Sequence, residues 1–439
     1  VKYLAVLIAF VSFCACGGAA KAQDDVAEFI MASLSGASSE TALAPEDQEA
    51  NELRFRLAQV NLYSETGNLD KAFDLIEALK RDYPLNPRVL AAEAQLNNRI
   101  GNYGGAFLGL NKATLLDPFD EDILEQRRAA AAWQGPAIMG GYTYRRTDPA
   151  YEQLARASGQ FPLTPSMGMR LSLENDHMHT RTPILRQNGE SRHFRGDRQR
   201  GAVVLNKVFE SNHDLSAAIY ANNATAGAGL EHGWWDARGS TKLRGEFNRP
   251  YWDYIETVIE DGTKSDIHLE RKQIFSKDVV GAFGGGYNHY ALDGVWDAAD
   301  ALAWNAALEY ALPLSFFERT ENEINLSASY TADAEYFTFV KRRGPAGGRY
   351  KPLSASDYEV HAGTFSIGKT FFSDLLLQGY GGYSYNRLND NGGPLYGVSL
   401  GYSLSDKLNV EFRASHTDSG GENNAQSEDQ LGLNLKWVL

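Results

Sequence analysis

After Pro136 this chain carries stretch after stretch in which apolar side chains recur at every second position and mostly polar or small ones fill the gaps. The final stretch LGLNLKWVL puts Leu431, Leu433, Leu435, Trp437 and Leu439 on one side, with Gly432, Asn434 and Lys436 on the other. SMGMRLSLE separates Met167, Met169, Leu171 and Leu173 from Arg170, Ser172 and Glu174. INLSASYTADAE, LYGVSLGYSL and LNVEFRAS repeat the arrangement. Period two is the signature of a strand with one apolar and one polar face. Such a strand either covers a soluble core or shows one face to lipid and the other to water.

The connections argue for lipid. Short ones are read at 174–177, 210–214, 248–250, 276–278, 313–319, 371–374 and 405–406. Mostly longer, polar ones are read at 147–165, 187–197, 226–239, 260–266, 292–300, 341–356, 389–393 and 418–428. The two sets alternate along the chain and predict sixteen strands. An even count with short turns at one end and longer loops at the other is what a transmembrane barrel of the outer-membrane type requires. Two segments resist the pattern. YWDYIETVIE (251–260) has no clean polar face and reads as a strand or a short periplasmic helix, and RGAVVLNKVF (200–209) is apolar on both sides. Tyr142, Tyr144, Trp252, Tyr254, Tyr287, Tyr290, Tyr310, Tyr336, Tyr383, Tyr385, Tyr396, Tyr402 and Trp437 are candidates for the aromatic girdles at the two interfaces.

Charges on a lipid-facing surface are costly, so those on the polar faces should point into the lumen. On the clearest strands these are Arg170, Glu174, Lys242, Arg244, Glu246, Glu270 and Lys272, followed by Glu309, Asp333, Glu335, Glu411, Arg413 and Lys436. They are the expected substrate path, with cross-lumen ion pairing as the alternative role for each.

The first third has a different period. Residues 53–133 carry apolar and alanine positions at helical spacing, and TGNLDKAF (66–73) matches IGNYGGAF (100–107) at a shift of 34 residues. Gly67 maps onto Gly101, Asn68 onto Asn102, Ala72 onto Ala106 and Pro84 onto Pro118. A 34-residue helix–turn–helix unit with these small contacts and a terminal proline is the tetratricopeptide pattern. Tyr63 is expected to fill the groove between helices, a helix over 121–133 to cap the stack, and DDVAEFIMASL to cap its other end, joined by the linker SGASSETALAP.

Ahead of these lies a short basic start, the apolar run YLAVLIAFVSFCAC and a small-residue site ending Ala20-Lys21-Ala22, the order of a secretory signal. Both cysteines, Cys14 and Cys16, fall inside it. The expected organisation is a signal peptide at 1–22, a periplasmic repeat module at 23–134 and an outer-membrane barrel at 135–439. The fold class expected is a multidomain chain, a short α-helical tetratricopeptide module followed by a transmembrane antiparallel β-barrel of about 16 strands. A net charge of −14 argues against a nucleic-acid partner, since phosphate binding needs a basic surface.

Repeats followed by a C-terminal sixteen-strand barrel resemble the outer-membrane exporters of bacterial exopolysaccharides: the PelB family, the poly-N-acetylglucosamine porins and the cellulose-secretion subunits. The segment RPYWDYIETVIEDGTKSDIHLERKQ (249–273) is similar to the barrel of the PelB family. The resemblance implies a passive pore for an exopolysaccharide, partnered by the lipid bilayer and by a periplasmic protein docked on the repeats, with neither enzyme chemistry nor cofactor. The chain departs from these exporters in having about two repeats where they carry many. The residues themselves agree on the chemistry: His177 and His179 have no third ligand nearby, Asp293, Asp297 and Asp300 lack the spacing of a calcium loop, and GAFGGGYNHY lacks the context of a phosphate loop. No metal site is expected. Two alternatives stay open: a general porin or protein-secretion barrel whose client binds the repeats, and a plugged structural or receptor barrel.

Overall fold

The computed structural model describes residues 45–439 apart from 211, 313–323, 343–349, 351, 373, 406 and 419–426. The expected signal peptide, the DDVAEFIMASL cap and the linker after it lie outside the described residues.

Five helices come first: α1 (Pro45–Glu65), α2 (Leu69–Asp82), α3 (Pro87–Arg99), α4 (Tyr103–Leu116) and α5 (Glu121–Gln134). The 34-residue shift reappears as geometry. Gly67 and Gly101 turn the chain at φ 81° and 84°, a left-handed conformation glycine adopts without steric cost. At each turn the next residue closes the same bond, Asn68 N–H to Tyr63 O and Asn102 N–H to Asn97 O, both 2.8 Å. Asn86 and Asn102 cap α3 and α4 with their side-chain oxygens, and Pro87 opens α3 where a missing N–H costs nothing. Ala72 and Ala106, the paired small residues, are fully buried. One core gathers Ile76, Leu79, Val89 and Leu96, with Tyr63 packed on its edge, and a second gathers Ala94, Ala106, Leu110 and Ile123. Ile123 is how α5 caps the stack.

Eighteen strands follow: β1 (Ala137–Thr147), β2 (Ala150–Thr164), β3 (Met167–Thr180), β4 (Ile184–Leu185), β5 (Ser191–Arg192), β6 (Arg195–Phe209), β7 (His213–Asn222), β8 (Ala226–Asp236), β9 (Gly239–Pro250), β10 (Thr263–Ile274), β11 (Val279–Leu292), β12 (Val295–Ala311), β13 (Ile324–Val340), β14 (Tyr358–Phe371), β15 (Leu375–Asn386), β16 (Asn391–Ser405), β17 (Leu408–Asp418) and β18 (Ser427–Val438). β4 and β5 form a separate hairpin, and the other sixteen close into one antiparallel barrel. The seam pairs β1 with β18, from Ala137↔Val438 to Thr147↔Glu428.

The sixteen strands are not all those the sequence suggests. Residues 147–165 were expected as a loop but contain β2, and 226–239 contain β8. Conversely, 174–177 is no turn but the interior of β3, and 248–250 ends β9 instead of turning it. Two strands gained and two lost leave the count unchanged. β2 and β8 escape notice because small residues interrupt their faces, Ala155, Ala157 and Gly159 in β2 and Ala226, Gly227, Ala228 and Gly229 in β8, and give little alternation. Asn175 and His177 look turn-like because β3 continues past the lipid, where both faces meet polar surroundings. Segment 200–209 is a regular part of β6, with Val203 and Leu205 outside and Ala202 and Val204 inside.

Bonds that skip a strand identify the inner face. Tyr220 on β7 reaches Glu246 on β9, and Tyr290 on β11 reaches Glu335 on β13. Propagating the register puts Leu173, Ile219, Leu230, Phe247, Ile267, Phe283, Leu302 and Trp437 outside, each more than half exposed. Such a surface is stable only against lipid, and a closed barrel satisfies its backbone there. The girdle expectation needs correcting. Tyr142, Tyr144, Tyr287, Tyr310, Tyr336, Tyr383, Tyr385, Tyr396, Tyr402 and Trp437 are outside, but Trp252, Tyr254 and Tyr290 are buried within the barrel.

The helices sit against one rim. Asp70 pairs with Arg238 at 2.5 Å, Lys112 with Glu210 at 2.5 Å, and Asn102 Nδ2 donates to Asn212 Oδ1 at 3.4 Å. A Cβ on Gly67 would stand 3.1 Å from the Lys277 backbone nitrogen, a second reason for glycine there. At this module rim β2 leads to β3, β6 to β7, β8 to β9, β10 to β11, β12 to β13, β14 to β15 and β16 to β17. The opposite, loop rim carries 181–194, 251–262, 341–357 and five other connections, three of them only two or three residues long.

Candidate functional site

All thirteen charged residues proposed for the lumen occupy inner-face positions. They do not form one constellation. On β3, Glu174 bridges Arg200 at 2.6 Å and Arg156 at 3.3 Å, while Arg170 donates to Gln160 at 3.2 Å. On β9, Lys242 faces Glu231 at 3.6 Å, Arg244 faces Asp266 at 3.5 Å, and Glu246 accepts from Tyr220 at 2.6 Å and meets Arg249 at 3.0 Å. Glu270 and Lys272 continue this wall along β10, and Glu309 lies opposite Val280 near the module rim. Glu411 pairs with Arg413 at 2.7 Å beside Asn434, and Lys436 lines a cleft of about 670 Å³ with Glu411 and Arg156. Residues the sequence reading passed over join them: Arg145 with Glu152, Arg198, Arg200, Arg249 and Asp266. The signal was available in β2, β6 and β10 once their register was known.

The lumen is two-sided. β14, β15 and β16 present no charged side chain to it; their inner positions combine Thr364, Ser366, Gln378, Tyr380, Ser384 and Ser399 with the apolar Val360, Leu376 and Leu395 and with glycines. Hydroxyls pair across β13 and β14, Ser327 with Ser366 at 2.6 Å and Ser329 with Thr364 at 2.5 Å. The uncharged stretch of β14–β16 therefore faces the most densely charged part of the cylinder, β2–β10, with further charges on β12, β13, β17 and β18 flanking it. Glycines also make room on the charged side, where a Cβ at Gly284 would stand 2.7 Å from the His268 ring.

Near the loop rim a segment enters the barrel. Residues 251–262, with the short helix α6 (Ile255–Ile259), fold inward between β9 and β10. The sequence alternatives for 251–260 were a strand or a periplasmic helix; it is a helix at the opposite end. Tyr251 and Tyr254 pack against Tyr290, Ala301 and Leu353 on one side. Trp252 and Val258 pack against Ala150 and Met178 on the other. Polar ties fix both flanks. Arg198 donates to the carbonyls of Val258 (2.7 Å) and Ile259 (2.8 Å), Arg200 covers the Trp252 ring at 4.3 Å, and Arg186 bridges Glu260 at 2.9 Å. Glu335, 2% exposed, accepts from Asn288 (2.6 Å), Tyr290 (2.6 Å) and Tyr254 (3.3 Å). Asp333 beside it accepts from Tyr358 at 2.9 Å. Glu256 accepts from Ser354, and burial pushes its carboxyl above the ordinary range; burial does the same to Asp261, opposed by Arg198. The segment is thus held inside the barrel by side chains of β2, β3 and β6 on one flank and of β11–β13 on the other.

At the module rim a cleft of about 330 Å³ runs from Asn102, Gly104 and Phe107 of the helices to Arg170, Asp214 and Lys242 of the lumen. Among the described residues, no group of three or more candidate ligands could hold a metal ion. His177 pairs with Asp197 on the exterior, Asp297 with Lys341, and Asp300 with His289.

No protein-family model matches the chain, and no curated protein sequence matches it. Solved structures do. A bacterial polysaccharide outer membrane secretin aligns at a TM-score of 0.51 and 7% identity, covering 69% of this chain and 98% of that one. An anion-selective porin from Comamonas acidovorans aligns at 0.37 and 10% identity, covering 69% and 98%. OprD of Pseudomonas aeruginosa aligns at 0.34 and 9%, covering 69% and 94%. The first likeness shows a shared barrel fold. A closed antiparallel barrel with this apolar exterior belongs to a bacterial outer membrane.

Proposed function

We propose that the chain is an outer-membrane conduit for a bacterial exopolysaccharide, in the manner of the PelB-like exporters its order of parts resembles. The helical module lies on the periplasmic side and docks a protein partner, and no chemical step is assigned. The observation that carries the reading is the two-sided lumen. A sugar chain offers hydroxyls in every direction, which one wall can match with carboxylates and guanidiniums and the other with Ser, Thr and Tyr hydroxyls. The fold likeness to a polysaccharide secretin supports it. Gene deletion with assay of secreted polymer tests it: loss of secreted polymer is expected, and unchanged secretion overturns it. The inward segment 251–262 favours a second reading, a plugged structural or receptor barrel, for which planar bilayers should record no current.

A further inference from the structure

The register that points Arg145, Glu152 and Asp176 inward points their neighbours out. Near the loop rim these are Tyr144 and Arg146 on β1, Tyr151 on β2, His177 and His179 on β3, and Arg195 on β6. Together they line an exterior hollow of about 490 Å³. Arg146 and Arg181 lie over the Tyr151 ring at 5.9 and 5.4 Å, and Tyr144 stacks beside it at 6.4 Å. Elsewhere on the outer rim, exterior cations are matched: Arg387 by Glu359, His289 by Asp300, His416 by Asp429. Here Arg146, Arg181 and Arg195 make no ion pair among the described residues; the hollow's pairing is confined to His177 with Asp197 at 3.0 Å. On the same strands, closer to the module rim, the exterior is Leu171, Leu173, Val203 and Leu205. The hollow therefore stands where the lipid band gives way to headgroups.

We infer that this hollow binds the phosphorylated sugar headgroup of an outer-leaflet glycolipid. Guanidiniums present donors in a fork that matches phosphate oxygens, and Tyr rings offer flat faces for sugar. A soluble anion could satisfy the guanidiniums but not the apolar surface that adjoins them, so the occupant is a lipid. The inference rests on the barrel's place in the outer membrane and on the proposed periplasmic side of the helical module, and is independent of what passes through the lumen.

The full chain in dodecyl maltoside tests it, with bis-phosphorylated lipid A, its dephosphorylated counterpart and inorganic phosphate as probes. Native mass spectrometry counts retained lipid, and heat-dependent gel mobility reports the folded barrel. Bis-phosphorylated lipid A is expected to be retained and to raise the unfolding midpoint, with at least tenfold weaker retention in the Arg146→Gln/Arg181→Gln/Arg195→Gln variant. Equal retention of the dephosphorylated lipid, equal stabilisation by inorganic phosphate, or undiminished retention in the triple variant would each overturn it. Should the triple variant not fold, the three probes on the unaltered chain and the single Arg195→Gln variant, expected to retain less lipid, decide the matter.

Discussion

Glu335 ties together much of the lumen near the loop rim, because three donors from β11 and α6's approach converge on its carboxylate. Truncating it removes the acceptor they share, at about 1–3 kcal/mol for a buried donor such as Asn288 that is left unsatisfied. Glu335→Ala should therefore lower the temperature at which the barrel loses its compact gel mobility and expose 251–262 to protease, whereas Glu335→Gln keeps an acceptor and should fall between. Glu256 and Asp261 make a different prediction. Both carboxyls sit above their ordinary values in the packed segment, chiefly through burial. A raised acid takes up a proton on packing, so packing strengthens as pH falls through the raised value toward the ordinary one and weakens as pH rises from the ordinary value to the raised one. Single-channel conductance should drop on acidification from neutral pH, and Glu256→Gln should flatten that dependence. An unaltered profile in the variant would remove Glu256 from the account.

At the scale of elements, the segment 251–262 is the part whose removal should be felt most. Replacing it with a short Gly-Ser linker takes away the packing of Trp252, Tyr254 and Val258 but no barrel strand. Bilayer conductance should rise severalfold with the heat-stable barrel retained; equal conductance would mean that the segment does not limit the path. The same segment marks where the sequence stops being legible. Alternation identifies strands such as β13, β16 and β18 because lipid outside and water inside demand opposite chemistry at successive residues. That contrast fades in β2 and β8, where runs of small residues break it, and vanishes in 251–262, which packs against protein on both flanks. The lumen charges were readable from face alone. Their pairings were not, since Tyr220 with Glu246 and Glu174 with Arg156 depend on which strands become neighbours.

Across the whole molecule, the helices meet the barrel through few ties. Asp70–Arg238 and Lys112–Glu210 are exposed ion pairs, each worth about 0–1 kcal/mol and weakened by salt. Asp70→Arg with Lys112→Glu should speed proteolytic cutting near 134–137, and 0.5 M salt should do the same to the unaltered chain, with ~10 Å screening at 0.1 M already reduced further; a cutting rate unmoved by either would assign the docking to the Asn102–Asn212 and Gly67–Lys277 contacts. The seam carries a last consequence, about time. Ala137 has its partner at Val438, and Leu439 donates to the Pro136 carbonyl at 3.0 Å. The cylinder cannot close until β18 reaches β1, the most distant pairing in the chain, and long-range pairing of this kind is slow and exposed to aggregation. Until then both borders are open ladders of unpaired amides. The helical repeats, whose bonds are local, can fold well before, leaving an already structured module tethered to a chain that still needs escorting to its membrane.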